Sequence, residues 1–148
     1  MVDVSVREAT AGDAEGLARL CTQLGYPADT AAMPARLGRL CEDSNARAFV
    51  AVQGSDLVGL VTIHLRDTLN HPTPIAQITL LVVDEARRSK GVGKALVSAC
   101  EEFARQCGAR RVAVTTALDR AGAHSFYERA GYRHTGRRYA KDFPAPDA

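Results

Sequence analysis

The chain has no tryptophan, and phenylalanine and tyrosine together supply only 5% of it. A surface that recognises nucleic acid through rings interleaved with charge has little to build on. Four cysteines are present, Cys21, Cys41, Cys100 and Cys107, and none forms a CxxC pair. That spacing argues against a disulfide framework or a zinc site, and the four read as buried, reduced thiols. No apolar run approaches the roughly 18 residues of a membrane span. The opening MVDVSVREAT lacks a basic stretch followed by an apolar one, so it does not read as a signal peptide. Repeats and low-complexity tracts are also missing. The expectation is a cytoplasmic protein with no membrane partner and no metal.

What is present fits a globular domain. The 148 residues are 46% hydrophobic and 24% charged, enough for one domain over residues 1–148 with its own core. The net charge of +2 is unevenly spread. Residues 1–86 hold 6 Lys/Arg against 11 Asp/Glu, and residues 87–148 hold 13 against 6. A basic half calls for an anionic partner, which composition alone leaves open.

Val2–Glu8 alternates apolar and polar residues as a half-buried strand does. Thr10 and Asp13 make a capping signal for a helix with Leu17, Leu20, Cys21 and Leu24 inward, stopped at Gly25. Asp29 caps a second helix with Met33, Leu37, Leu40 and Cys41 inward, and Pro34 is tolerable only in its first turn. Arg47–Gln53 and Leu57–Leu65 flank Gly54-Ser55-Asp56 and read as a hairpin. Ile75–Val83, IAQITLLVV, is a further strand. A helix follows from about Val92 to Cys107, with Val92, Ala95, Leu96, Ala99 and Phe103 inward. Then come a strand at Arg111–Thr116, a short helix at Ala121–Ala130, and one or two strands within Tyr132–Ala140. The order gives an α/β (α+β) sheet with helices on its faces.

The most informative stretch is Leu80–Leu96, LLVVDEARRSKGVGKAL. A strand runs through a turn and two glycines into an amphipathic helix. Gly91 and Gly93 admit close approach of a ligand to the backbone. The helix start offers amides without intrahelical partners, which favour an anion. Arg87, Arg88, Lys90 and Lys94 add positive charge around the same spot. A P-loop is excluded, because Arg88 stands at the first glycine position and Ala95 where Ser/Thr must be. The dinucleotide fingerprint fails at Leu96. A phosphate or pyrophosphate site remains, beside a nucleic-acid patch and a merely solvated basic helix start.

Arg88-x-x-Gly91-x-Gly93 after Leu81-Val82-Val83-Asp84 resembles the acyl-CoA motif of the GCN5-related N-acetyltransferases (GNAT). Ala123-His124-Ser125-Phe126-Tyr127-Glu128-Arg129-Ala130-Gly131-Tyr132 resembles that family's second motif, and the variant is similar to small bacterial aminoglycoside-type members. The resemblance covers about residues 3–141. It implies a mixed, mostly antiparallel sheet of six to seven strands with about four helices and a splayed cleft between strands 4 and 5. It implies an enzyme that moves an acetyl group from acetyl-CoA to a primary amine by direct transfer in a ternary complex.

Within that resemblance, Leu81, Val82 and Val83 take the pantetheine arm, and Arg88, Ser89, Lys90, Gly91, Val92, Gly93 and Lys94 take the pyrophosphate. Arg120 stands where many relatives have an Asn that contacts the cofactor. Tyr127 is the acid that protonates the departing thiolate. Thr79 and Thr115 occupy positions where relatives carry a glutamate base, so water, His64, Asp119 or His124 must carry the amine's proton. The acceptor wall is the first two helices and their Gln23–Pro27 link, with Gln23, Tyr26 and His64 as substrate residues. The acidic first half suits a cationic small-molecule amine. Protein or peptide acetylation, a CoA-binding module without catalysis, and nucleic-acid binding are the alternatives; the expected partner is a small molecule rather than nucleic acid, with a homodimer as the assembly.

Overall fold

In the computed structural model, which describes residues 3–88, 90–115 and 121–145, Val4 and Val6 are half-buried between exposed Asp3, Ser5 and Arg7. This alternation forms β1 (Ser5–Glu8). The Asp13 carboxylate accepts the Thr10 N–H at 2.8 Å, and Arg7 forks onto the same carboxylate with two bonds of 2.8 Å. A 3-10 turn over Ala11–Asp13 then leads into α1 (Ala14–Leu24). Gly25, at φ +105°, closes α1: its N–H reaches Thr22 and the Tyr26 N–H reaches Cys21, both at 3.0 Å. Asp29 caps the next turn through Ala31 N–H, and α2 (Met33–Glu42) carries Pro34 in its first turn, where no hydrogen bond is lost.

Next come β2 (Ala46–Gln53), β3 (Asp56–Arg66), β4 (Ile75–Val83), α3 (Val92–Gln106), β5 (Val112–Val114) and α4 (Ala121–Arg129). The sheet runs β1-β2-β3-β4-β5. Its first three pairings are antiparallel and β4–β5 is parallel, so the sheet is mixed. On one face Leu17, Leu20 and Met33 pack with Val50, Leu60 and Val82. On the other, α3 buries Val92, Leu96, Val97, Cys100 and Ala104. Phe103 meets Phe49 edge-on at 6.4 Å, under the Arg47 guanidinium.

Contacts gather into two units, Met1–Val114 and Thr115–Ala148. The first holds the sheet and α1–α3; the second holds α4 and the segment after it. Within the second unit Tyr127 is buried and meets Phe126 and Tyr132 edge-on, at 5.1 Å and 5.6 Å.

Two expectations need correction. Five strands are present among the described residues, not six to seven, and Tyr132–Ala140 forms none of them. Arg133, His134, Arg137 and Arg138 fall on both parities of that segment, so it has no clean apolar face to bury. Tyr139 and Phe143 are accordingly exposed. Nor are the four cysteines all buried. Cys100 is, Cys21 is half-buried, and Cys41 and Cys107 are exposed at the ends of α2 and α3.

Burial pushes the Cys100 thiol up to about 12. Iodoacetamide at pH 8 is expected to label Cys41 and Cys107 in the native protein and Cys100 only after denaturation. Peptide mass mapping checks this, and native labelling of Cys100 at the rate of Cys41 contradicts it.

Candidate active site

The strand β4 is rich in β-branched and apolar residues because most of its length is covered on both faces. Its two edges are used differently. Ala76–Ile78 pair with Val112–Val114 of β5, and from Thr79 to Val83 that edge carries no strand among the described residues. Toward β3 the pairing continues to Val83 but shifts: Ile78 faces Ile63 while Leu80 faces Thr62. Thr79 is thus an extra residue, a bulge at the point where β4 and β5 part.

The bulge aims the Thr79 hydroxyl along the sheet. Its Oγ1 lies 2.7 Å from Thr62 Oγ1 and 3.3 Å from His64 Nδ1. Thr62 follows Leu60 by two residues, so the trio shares the face covered by α1 and α2. His64, expected on the acceptor side, is therefore tied to the residue of β4 at which its described pairing with β5 ends.

At the other end of that free edge, the Asp84 N–H reaches the Val58 carbonyl at 2.9 Å and ends the ladder. Asp84 then caps the 3-10 turn Glu85–Arg87 through the Ala86 N–H. Gly91, at φ +86°, is the N-cap of α3, and no side chain caps the helix. The first bond within the helix runs from Ala95 N–H to the Gly91 carbonyl at 3.1 Å. The amides of Val92, Gly93 and Lys94 have no partner inside the helix and stand at its positive end. Lys90 and Lys94 are exposed beside them. The Val92 side chain is buried, so only its backbone is offered.

The two arginines of the loop act differently from their neighbouring lysines. Arg88 donates its Nε–H to the Val83 carbonyl at 3.2 Å, folding the loop back on the strand end. Arg87, read from sequence as part of the basic cluster, turns to the β2–β3 hairpin, where it meets Asp56 at 3.3 Å and Gln53 Oε1. Its charge is spent on anchoring the loop. Ser89, Arg120 and Asp119 lie outside the described residues. Tyr127 and His124 belong to the second unit, on α4.

Of the residues expected in the acceptor wall, Tyr26 is largely exposed just after α1. Gln23 points its Oε1 at the Glu85 N–H, 3.0 Å away. One α1 residue that the sequence reading passed over, Arg19, meets Asp84 at 2.7 Å and the Leu57 carbonyl at 2.6 Å. The Ala86 N–H first, then Arg19 and Gln23, hold the Asp84 carboxyl below the usual carboxylate range.

Gly59 was also missed. A Cβ there would lie 2.8 Å from Leu96 and 3.0 Å from Val92, so its hydrogen is what lets α3 settle on β3. A single glycine inside a strand is the available signal for such an approach. Elsewhere, a concavity of about 420 Å³ lined by Asn45, Leu65, Asp67, Pro74 and Cys107 lies at the opposite end of β3 and α3. It has no cationic lining and does not suit an anion. Among the described residues no group of three or more His, Cys, Asp or Glu could hold a metal ion, and no helix is long and apolar enough to cross a membrane.

A strand, glycine turn and uncapped helix in this arrangement can be compared with known proteins. The family model described as "Acetyltransferase (GNAT) family" matches residues 15–132. The chain belongs to the GNAT acetyltransferase family. It is an N-acetyltransferase. An aminoalkylphosphonate N-acetyltransferase of Salmonella typhimurium is 31% identical over 92% of this chain and 89% of its own. An aminoglycoside N(6')-acetyltransferase type 1 of Stenotrophomonas maltophilia is 27% identical over 90% of this chain and 88% of its own. A crystal structure of a transcriptional regulator from Bacillus halodurans superposes with a TM-score of 0.87, at 25% identity, over 95% of this chain and 99% of that one. GNAT acetyltransferases use acetyl-CoA as cosubstrate.

Two outcomes are expected. Gly59→Val should cost about 1–3 kcal/mol or more by overpacking the α3 contact, read from urea unfolding; an unchanged midpoint would contradict the close approach. The lowered Asp84 pKa contributes stability that is present above about pH 4, the ordinary carboxylate range, and is lost as pH falls through the folded value. Asp84→Asn should therefore lower stability at pH 7 and flatten its decline below pH 4, relative to the parent.

Proposed function

We propose that this chain, acting as a single GNAT domain over its whole length, transfers the acetyl group of acetyl-CoA directly to a primary amine of a small molecule. The observation that carries the reading is the pairing of two features in one unit. A strand edge, Thr79–Val83, that pairs with no strand among the described residues leads into uncapped amides at Val92–Lys94. An extended amide-bearing chain ending in a pyrophosphate has the chemistry to use both.

In this reading Leu81, Val82 and Val83 receive the pantetheine amides as an added strand would. The Val83 carbonyl keeps a second lone pair after accepting from Arg88. Arg88, Ser89, Lys90, Gly91, Val92, Gly93 and Lys94 surround the pyrophosphate, with amides and the two lysines supplying the positive potential. Arg120 adds a cationic contact to the same cofactor. A backbone N–H near Val83 donates to the thioester oxygen as it gains charge. The amine must attack in its neutral form. His64, bonded to Thr79 at the parting of the strands, is the acceptor-side group best situated to take its proton, directly or through water.

Tyr127 is the acid for the leaving thiolate; a phenol near 10 and a thiol near 8.5 are close enough for transfer. The acceptor reading rests on the acidic surplus of residues 1–86 and on the two relatives, whose names both describe amine acetylation of small molecules. Tyr26 and His64 lie on its expected side. The protein is expected to work in the cytoplasm, where acetyl-CoA is available.

The test is calorimetric titration with acetyl-CoA, followed by free-thiol release with an aminoalkylphosphonate, an aminoglycoside and a polyamine. Micromolar binding and turnover of one amine are expected. No binding overturns the reading, and binding without turnover of any amine favours a CoA module. A gain of about 42 Da, one acetyl group, on proteins but on no small amine favours a protein acceptor. Tyr127→Phe should lower kcat about 10–100-fold with little change in acetyl-CoA affinity. Lys90→Ala and Lys94→Ala should each weaken acetyl-CoA by about 3–10-fold, more at low salt.

A further inference from the structure

Gln23, expected in the acceptor wall, has its side chain bonded to the donor loop. Gln23 Oε1 accepts the Glu85 N–H at 3.0 Å, and Gln23 also helps hold the Asp84 carboxyl below the usual carboxylate range. One turn earlier on α1, Arg19 grips the same Asp84 at 2.7 Å and anchors itself on the Leu57 carbonyl at 2.6 Å. Asp84 and Glu85 are the first residues after β4, and the loop from them delivers the amides at the start of α3. On the other side of the loop, Arg87 is held by Asp56 and Gln53. The loop therefore hangs from two supports, and one of them is the helix that runs directly into the Gly25–Ala28 connection of the acceptor wall.

We propose that Arg19 and Gln23 are positioning residues: α1 holds the pyrophosphate loop in its binding geometry and links the acceptor wall mechanically to the acetyl-CoA site. The inference rests on the acetyl-CoA reading above. Two hydrogen bonds from α1, one of them within the Arg19–Asp84 ion pair, hold the first two loop residues, so loosening them lets the amides of Val92–Lys94 lose their aim without touching the cofactor. Because the same helix ends at the acceptor wall, ligands on the two sides bias one element, and the bias is reciprocal.

The experiment is titration of acetyl-CoA and of acetyl-pantetheine, which lacks the pyrophosphate, into the parent, Gln23→Leu, Arg19→Met and the control Arg105→Ala. Among the described residues Arg105 pairs with Glu101 and Glu102, on the far end of α3. Gln23→Leu and Arg19→Met are expected to weaken acetyl-CoA about 5–30-fold, in the lower part of the range usual for coupling between sites. Acetyl-pantetheine should change by less than about 2-fold in both, and Arg105→Ala should change neither ligand. Equal loss for both ligands would assign the two residues to general stability and overturn the proposal, as would unchanged acetyl-CoA affinity. Arg19 is exposed, so its variant carries the test should Gln23→Leu fail to fold. Failure of the parent itself to bind acetyl-CoA would sink the underlying functional reading instead, and the two failures are told apart by the parent alone.

Discussion

Everything at the candidate site depends on one strand being paired on one edge and left open on part of the other. An unpaired edge normally invites unwanted association. Here β4 keeps full pairing with β3, and pairing with β5 ends after Ile78. The bulge at Thr79 gives the strand the local twist that such a parting requires. The open edge is short, lies within an otherwise covered strand, and ends at Asp84 and Glu85, which are bonded to α1. In the proposed reading, those conditions turn an association hazard into a place for one extended ligand.

The open edge would be of little use if the helix start after it could drift. Three contacts of different kinds prevent that. Gly59 lets Val92 and Leu96 sink onto β3, which fixes α3 along the sheet. Arg87 ties the loop to the β2–β3 hairpin, and Arg19 with Gln23 ties it to α1. The packing contact is apolar and indifferent to pH and salt, whereas the polar ties are partly exposed and individually weak. The start of the loop is held by these contacts together rather than by any one bond.

Local rules read most of the fold from the sequence. IAQITLLVV gives β4 its full span, Thr10 and Asp13 mark the entry to α1, and Gly25 marks its end, because each of these signals acts within a few residues. The Gly91-x-Gly93 helix start is legible for the same reason. What escapes is long-range. Arg19 meets Asp84 across 65 positions of sequence and Gln23 meets Glu85 across 62, and periodicity carries no information about such pairs. Arg87 looks like a phosphate ligand until its partners Asp56 and Gln53 are seen beside it. The segment Tyr132–Ala140 reads as strand from its position in the order, but its charges on both parities leave no face to bury.

The withdrawal of Arg87 from the loop changes how an anion would be held there. With Arg87 on the hairpin and the Arg88 Nε–H on the Val83 carbonyl, the lysines exposed beside the described helix start are Lys90 and Lys94. Both are exposed, where salt screens them over about 10 Å at 0.1 M. Backbone amides at a helix end are fixed dipoles that need no ordering, and their aim is set by Gly91 at φ +86° and by the packing of Val92 beneath. In the proposed reading, most of the specificity for a pyrophosphate therefore resides in amide direction, and the lysines chiefly raise the local anion concentration. A basic stretch that looks electrostatic in sequence is, in the fold, a geometric site with an electrostatic rim, which is why the supports of the loop matter more to it than its formal charge.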